Sequence, residues 1–332
     1  MKNILTTLIL GLSFLFNGCK KKDATVPKND VYMAGHEFNG SNYIAKYWKN
    51  GIDPNFSSGT DNYYATSIFV VGSDVYVAGY GVGGPLYWKN GLGKFLSGKT
   101  ATSIFVQGSD IYVAGTGQLG QNSVAKYWKN GVSINLTDGK QYAMAYAIFV
   151  EGSDVYVAGF ESNGNKTISK YWKNGISVNL TDGTTNARAN SIAVDGLDVF
   201  VAGEEMNSGG IWVAKYWKNG IPTDFSDGTH DAFANSIVVR GADVFVCGYE
   251  LNSAGYWVAK YWKNGLESQL SDGTSSEQAN SIAVVGSDVY VAGFENTKSG
   301  YNVAKYWKNG IATKINTKVG KSSKATSIFV TN

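Results

Sequence analysis

The sequence predicts an all-β fold, a seven-bladed β-propeller with four antiparallel strands per blade, and three repeated phrases predict it independently. YWKNG recurs with its tryptophan at Trp48, Trp88, Trp128, Trp172, Trp217, Trp262 and Trp307, at intervals of 40, 40, 44, 45, 45 and 45 residues. VYVAG or a close variant ends at Gly35, Gly79, Gly115, Gly159, Gly203, Gly248 and Gly293, and a phrase of the form A-x-S-I-x-V starts at Ala65, Ala101, Ala145, Ala189, Ala234, Ala279 and Ala325. A period of about 40 to 45 residues is that of a four-stranded propeller blade.

The innermost strand of each unit is the alternating, β-branched run typified by Ser191 to Val194. A Gly-x-Asp turn, Gly196 to Asp198 in that unit, leads into the second strand, Val199 to Ala202. After a variable loop comes the third strand, AKYWK, ended by Asn-Gly as at Asn219-Gly220, the sequence of a type I′ hairpin in which both central residues need positive φ. A fourth strand such as Ile176 to Leu180 follows, and a loop such as Asp182-Gly183-Thr184 returns to the next blade. The ends complement one another: the first unit begins at its second strand, Val31 to Ala34, and the chain finishes with a lone first strand, Ala325 to Thr331. Pairing the C-terminal strand into the N-terminal blade closes the ring and leaves no free sheet edge.

Composition agrees with this reading. Charged residues make up 17% of the 332, apolar residues 43%, and there are 41 Gly and 21 Tyr, a balance that suits turns and pleated strands with a large core. The net charge of +3 comes from lysine, since Arg188 and Arg240 are the two arginines, and no nucleic-acid partner is expected from a chain so poor in arginine forks. Lys2 followed by the apolar run Ile4 to Phe16 reads as an export signal, and Phe16-Asn17-Gly18-Cys19 resembles a lipoprotein processing site. The resulting division is a signal peptide over 1–18, a lipidated Cys19 with its tether over 19–29, and the propeller over 30–332. Cys247 is the one other thiol, so no disulfide staples the mature chain.

Taken together, the repeats resemble those of bacterial β-propeller proteins exported as lipoproteins, and the lysine-rich stretch Lys20 to Lys28 resembles the start of many such lipoproteins of the Bacteroidetes type. The resemblance covers residues 30–332 and speaks to fold, because propellers host many functions. It implies a chain tethered to a membrane of the cell envelope, the bacterial outer membrane being the expected one, and acting there as a monomer.

Candidate functional residues follow from blade geometry. Tyr261 and Trp262 point to opposite faces of their strand and so toward different neighbouring blades, where burial of about 200 Å² contributes on the order of 5 kcal/mol per Trp. Core packing therefore outweighs sugar stacking for these rings. Lys260 and Lys263 read as a solvated rim, and the Asp before each second strand, from Asp30 to Asp288, as the acceptor of an Asx turn. The loop after the second strand and the loop between blades share one face, where function is expected. The first carries Glu37, Glu161, Glu205, Glu250 and Glu295, and the second Asp138, Asp182, Asp227 and Asp272. These carboxylates could gather around Ca2+ or fix the loops by accepting backbone N–H bonds; the repetition favours the second role.

Thr66, Thr102, Tyr146, Asn190, Asn235, Asn280 and Thr326 form a candidate ring at the channel mouth, able to grip a polar ligand or hold channel water. Blade two departs from the others at Gly81 to Pro85; Tyr63, Tyr64 and Tyr146 lie beside that notch, and Trp212, Tyr256 and Trp257 enrich the opposite side. His36 and His230 sit at non-equivalent loop positions, which disfavours histidine-based catalysis. The expected role is a non-enzymatic binding or scaffolding module for a protein partner, with a multivalent lectin as the alternative and a glycan-active hydrolase or lyase behind both. No cofactor is expected.

Overall fold

The computed structural model describes residues 29–54, 56–57, 62–315 and 321–331. The signal peptide expected over 1–18, Cys19 and the tether up to residue 28 lie outside the described residues. Among the described residues there are strands and turns and no helix. The strands form seven antiparallel sheets arranged as the blades of a propeller. Blade five is typical, with Ala187–Asp195 innermost, then Asp198–Met206, Trp212–Lys218 and Ile221–Asp224 at the rim. Blade one is built from both ends of the chain: Ser323–Val330 is its inner strand, paired to Val31–Phe38, which pairs to Tyr43–Lys49. Three strands pair in this blade, and a single bridge from Lys49 to Ile52 marks where the fourth begins elsewhere. The Asp30 N–H donates to Thr331 Oγ1 at 3.2 Å and the Thr331 N–H to the Asp30 carbonyl at 3.0 Å, so the ring closes as the sequence requires.

Local chemistry explains these elements. In all seven YWKNG phrases the Asn has φ between 50° and 55° and the Gly between 80° and 90°, the left-handed pair of a type I′ turn. The inner strands run longer than their alternating cores suggested, Ala187–Asp195 rather than Ser191 to Val194. A register shift at the residue after the Ala that opens each A-x-S-I-x-V phrase allows it: Ala189 pairs with Gly203 and Ser191 with Ala202, leaving Asn190 bulged out. The glycine opposite each bulge has no room for a side chain; a Cβ on Gly248 would stand 1.8 Å from the Phe233 carbonyl oxygen.

The core is seven clusters, each between two blades. Trp262 packs on Phe200, Ala202, Ala214 and Tyr216 of the preceding blade, while Tyr261 packs on the cluster holding Val289 and Val291 of the next. The six YWKNG tryptophans other than Trp88 are at most 1% exposed and Trp88 is 7% exposed, so these rings serve as inter-blade packing.

Candidate functional site

On the face that carries the Asn-Gly hairpins, each blade is locked by a clamp. In blade five Asp198 Oδ2 pairs with Lys218 Nζ at 2.7 Å, Asp198 Oδ1 accepts from Asn219 Nδ2 at 2.7 Å, and Asn219 Oδ1 accepts the Val199 N–H at 2.9 Å. The pairing recurs from Asp30 with Lys49 to Asp288 with Lys308. These aspartates therefore do not make the expected Asx turns; they reach across to the neighbouring hairpin, whose Lys and then Asn hold Asp198 below the usual carboxylate range. Lys263 behaves likewise with Asp243. Lys260 corrects the solvated-rim expectation, being 8% exposed and ion-paired to Glu250 and, at 3.0 Å, to Glu267.

The loop-face glutamates explain that burial. Glu161 pairs with Lys170 at 2.7 Å, Glu205 with Lys215 at 2.6 Å, and Glu295 with Lys305 at 2.9 Å and Lys314 at 2.6 Å. Each thus neutralises a lysine from the third strand of its own blade, and Glu37 is itself buried. The loops are held by their own polar groups as well: Asn207 Oδ1 accepts the N–H groups of Gly209 and Ile211, Asn207 Nδ2 donates to the Gly228 carbonyl, and Asp182 Oδ1 accepts from Thr184. Among the described residues no three His, Cys, Asp or Glu side chains gather as a metal site.

The expected channel ring is assembled, and it has a use the sequence did not suggest. Because each member is the bulged residue, its side chain turns sideways to the next blade. Thr326, Thr66, Thr102, Asn190, Asn235 and Asn280 donate to the carbonyls of Ala65, Ala101, Ala145, Ala234, Ala279 and Ala325 at 2.8–3.1 Å. One step along, a Ser hydroxyl accepts the Ile N–H of the following blade, as Ser191 accepts from Ile237 at 3.2 Å. Both circlets break at the seam between blades four and five, where Tyr146 and Ala147 stand in place of Thr or Asn and Ser.

Above this ring the channel opens on the loop face as a funnel of about 560 Å³. Its lining combines the ring residues and Tyr146 with Tyr80, Thr100, Met144, Tyr249, Gln278, Phe294 and Lys324. The groups are amide, hydroxyl, thioether and aromatic, with one ammonium: Lys324 Nζ lies 4.4 Å from the centre of the Phe294 ring, and burial lowers its pKa. Burial pushes the phenols of Tyr146 and Tyr249 up to about 12, so both remain donors at neutral pH.

Behind the broken seam lies Glu204, 2% exposed, its Oε2 accepting from Asn190 Nδ2 at 2.5 Å. Burial pushes its carboxyl up to about 8, against the opposing pull of the Arg188 guanidinium and the Asn190 bond, and it carries its proton at pH 7. Arg188 is its cross-strand partner and lies 5.2 Å from the Trp212 ring centre. Glu204 has no counterpart in the other blades, whereas its neighbour Glu205 recurs. The signal was one position earlier: the residue after each VYVAG glycine is His36, Tyr80, Thr116, Phe160, Glu204, Tyr249 or Phe294, and one of the seven is an acid.

The aromatic candidates divide. Tyr146 lines the funnel, and Tyr64 stacks on the lining residue Tyr80 at 5.3 Å. Tyr63 instead packs edge-on to Trp88 and donates to the Val82 carbonyl at 3.0 Å. Trp212 and Trp257 flank Phe233 at 6.2 and 5.7 Å, and Trp257 meets Tyr249 edge-on at 5.2 Å, forming a half-exposed aromatic bank outside the funnel wall.

No protein family and no curated protein matches the chain. Among solved structures it is similar to a puromycin-hydrolysing peptidase of Mycobacterium tuberculosis, at a TM-score of 0.53 and 8% identity over 83% of this chain and 50% of that one. The chain thus spans half the length of the peptidase chain, and a likeness at this identity concerns fold alone.

Proposed function

We propose that the chain is a non-enzymatic, lipid-anchored module of the cell envelope, tethered through Cys19, that holds a protein partner on its loop face by taking one segment of it into the central funnel. The observation that carries this reading is the funnel itself, a cavity of about 560 Å³ whose sevenfold lining is broken at one seam. A unique partner selects a unique site, whereas repeated sites would serve a lectin. The repeated loop carboxylates favour the first case, because Glu161, Glu205, Glu250 and Glu295 are already paired to lysines. Hydrogen-bond donors and acceptors between aromatic rings suit a peptide segment, whose backbone offers the complementary set and whose side chains can lie on Tyr146, Tyr249 and Phe294.

Capture from envelope extract with the detergent-solubilised chain, followed by titration with the recovered partner, tests this. One partner per chain is expected, and Tyr146→Ala and Tyr249→Ala should each weaken it about tenfold, the effect of losing one aromatic anchor. Unchanged affinity in both variants, or saccharide hits on a glycan array with several sites per chain, would refute it.

A further inference from the structure

We propose that the hairpin face is a membrane-docking surface, so that the propeller rests on the bilayer with its funnel turned away from it. The residue after Asn-Gly is Ile, Leu or Val in every blade, from Ile52 to Ile311, and all seven are between 68% and 79% exposed. Leu197, in a Gly-x-Asp turn on the same face, is 97% exposed. Single exposed aliphatics are ordinary, but a ring of them at one level of a disc is not. Its members sit in separate blades, so a globular partner would cover two or three, whereas a flat surface meets all of them at once.

The path of the chain selects a bilayer as that surface. Asp30 belongs to the hairpin-face clamp of blade one, pairing with Lys49 and Asn50, so residues 29 and 30 join the fold on this side. Cys19 lies eleven residues earlier, and the ten residues between reach at most about 35 Å fully extended. The proposal rests on the reading of Cys19 as the lipid anchor: with that short tether, the hairpin face is the one held against the lipid. Each aliphatic also pairs across its hairpin with a clamp lysine, as Ile221 does with Lys218, and such a lysine can lay its stem along the apolar surface with its ammonium at headgroup level. Because those lysines are already neutralised by aspartates, contact is apolar in origin and depends weakly on salt or anionic lipid.

The test uses the full-length chain in isolated membranes, carrying Ile221→Cys on the hairpin face or Ser253→Cys on the loop face, and a membrane-impermeant maleimide. Cys247 is fully buried and contributes no background. The expected result is labelling of the Ile221→Cys chain about tenfold slower than that of the Ser253→Cys chain, with the difference abolished by detergent. Equal labelling in the membrane pellet would overturn the docking while leaving the anchor intact. If the chain is recovered in the soluble fraction, the anchor reading fails instead; labelling is then repeated on chains that also carry Cys19→Ser, with vesicles of phosphatidylethanolamine and phosphatidylglycerol, where slowed labelling of the Ile221→Cys chain supports the surface and unchanged labelling overturns it. Protection that appears without vesicles and grows with protein concentration identifies a second copy as the occupant and also overturns it.

Discussion

Glu204 shows how one side chain departs from a repeating pattern at a cost. Its carboxyl has a folded-state pKa of about 8, raised by burial above its ordinary value, so the folded chain binds an extra proton in the window between them. Stability from this group is complete below the ordinary value and falls as pH rises toward 8. Glu204→Gln, which keeps the shape and the Asn190 contact, should therefore leave the stability almost unchanged near pH 5 and increase it by on the order of 4 kcal/mol by pH 9; a pH series of denaturant titrations checks this. Gly248→Ala should do the opposite at all pH values, destabilising by about 3 kcal/mol in a denaturant titration, because its Cβ would meet the Phe233 carbonyl oxygen at 1.8 Å. At this scale the burial of Tyr261 and Trp262 was legible, since strand alternation fixes which way each ring faces. The clamp between Asp198, Lys218 and Asn219 was not, because it joins residues of two different hairpins. Nor was the burial of Lys260, which depends on Glu250 arriving from another strand.

Strands and turns were largely legible. Asn-Gly and Gly-x-Asp set the hairpins, and alternation set the cores of the strands, because both are properties of neighbouring residues. The bulge was hidden, since it is a relation between two strands rather than a feature of one. It turns the channel ring from a lining into a belt of side-chain bonds between blades. Asn235→Ala should remove the bond to the Ala279 carbonyl and cost about 1 kcal/mol in denaturant unfolding. Conversely, Ala147→Ser should supply the hydroxyl missing from the second circlet and stabilise by about 0.5 kcal/mol, measured the same way. No gain would mean that the seam's Ile192 N–H has no use for a hydroxyl of the kind to which its counterparts donate.

For the whole molecule, ring closure is what the ends of the sequence declared. Removing residues 323–331 should strip blade one of its inner strand, expose the edge of Val31–Phe38 and drive the chain to aggregate, as light scattering would register. The two faces then divide the work: hairpins, clamps and exposed aliphatics on one, the funnel and its asymmetric seam on the other. Sevenfold phrases made the architecture readable, while the candidate site lies where the repetition fails, at Tyr146, Ala147, Arg188 and Glu204; of these Tyr146 was legible as the odd member of its ring, and Glu204 was not, because it stands beside the recurring Glu205. The most direct test of the account is photocrosslinking in living cells, with p-benzoylphenylalanine placed at Tyr146 in the funnel or at Ile311 on the hairpin face. A single protein adduct formed from Tyr146 and absent from Ile311 is the predicted result; adducts from Ile311 with none from Tyr146 would contradict it.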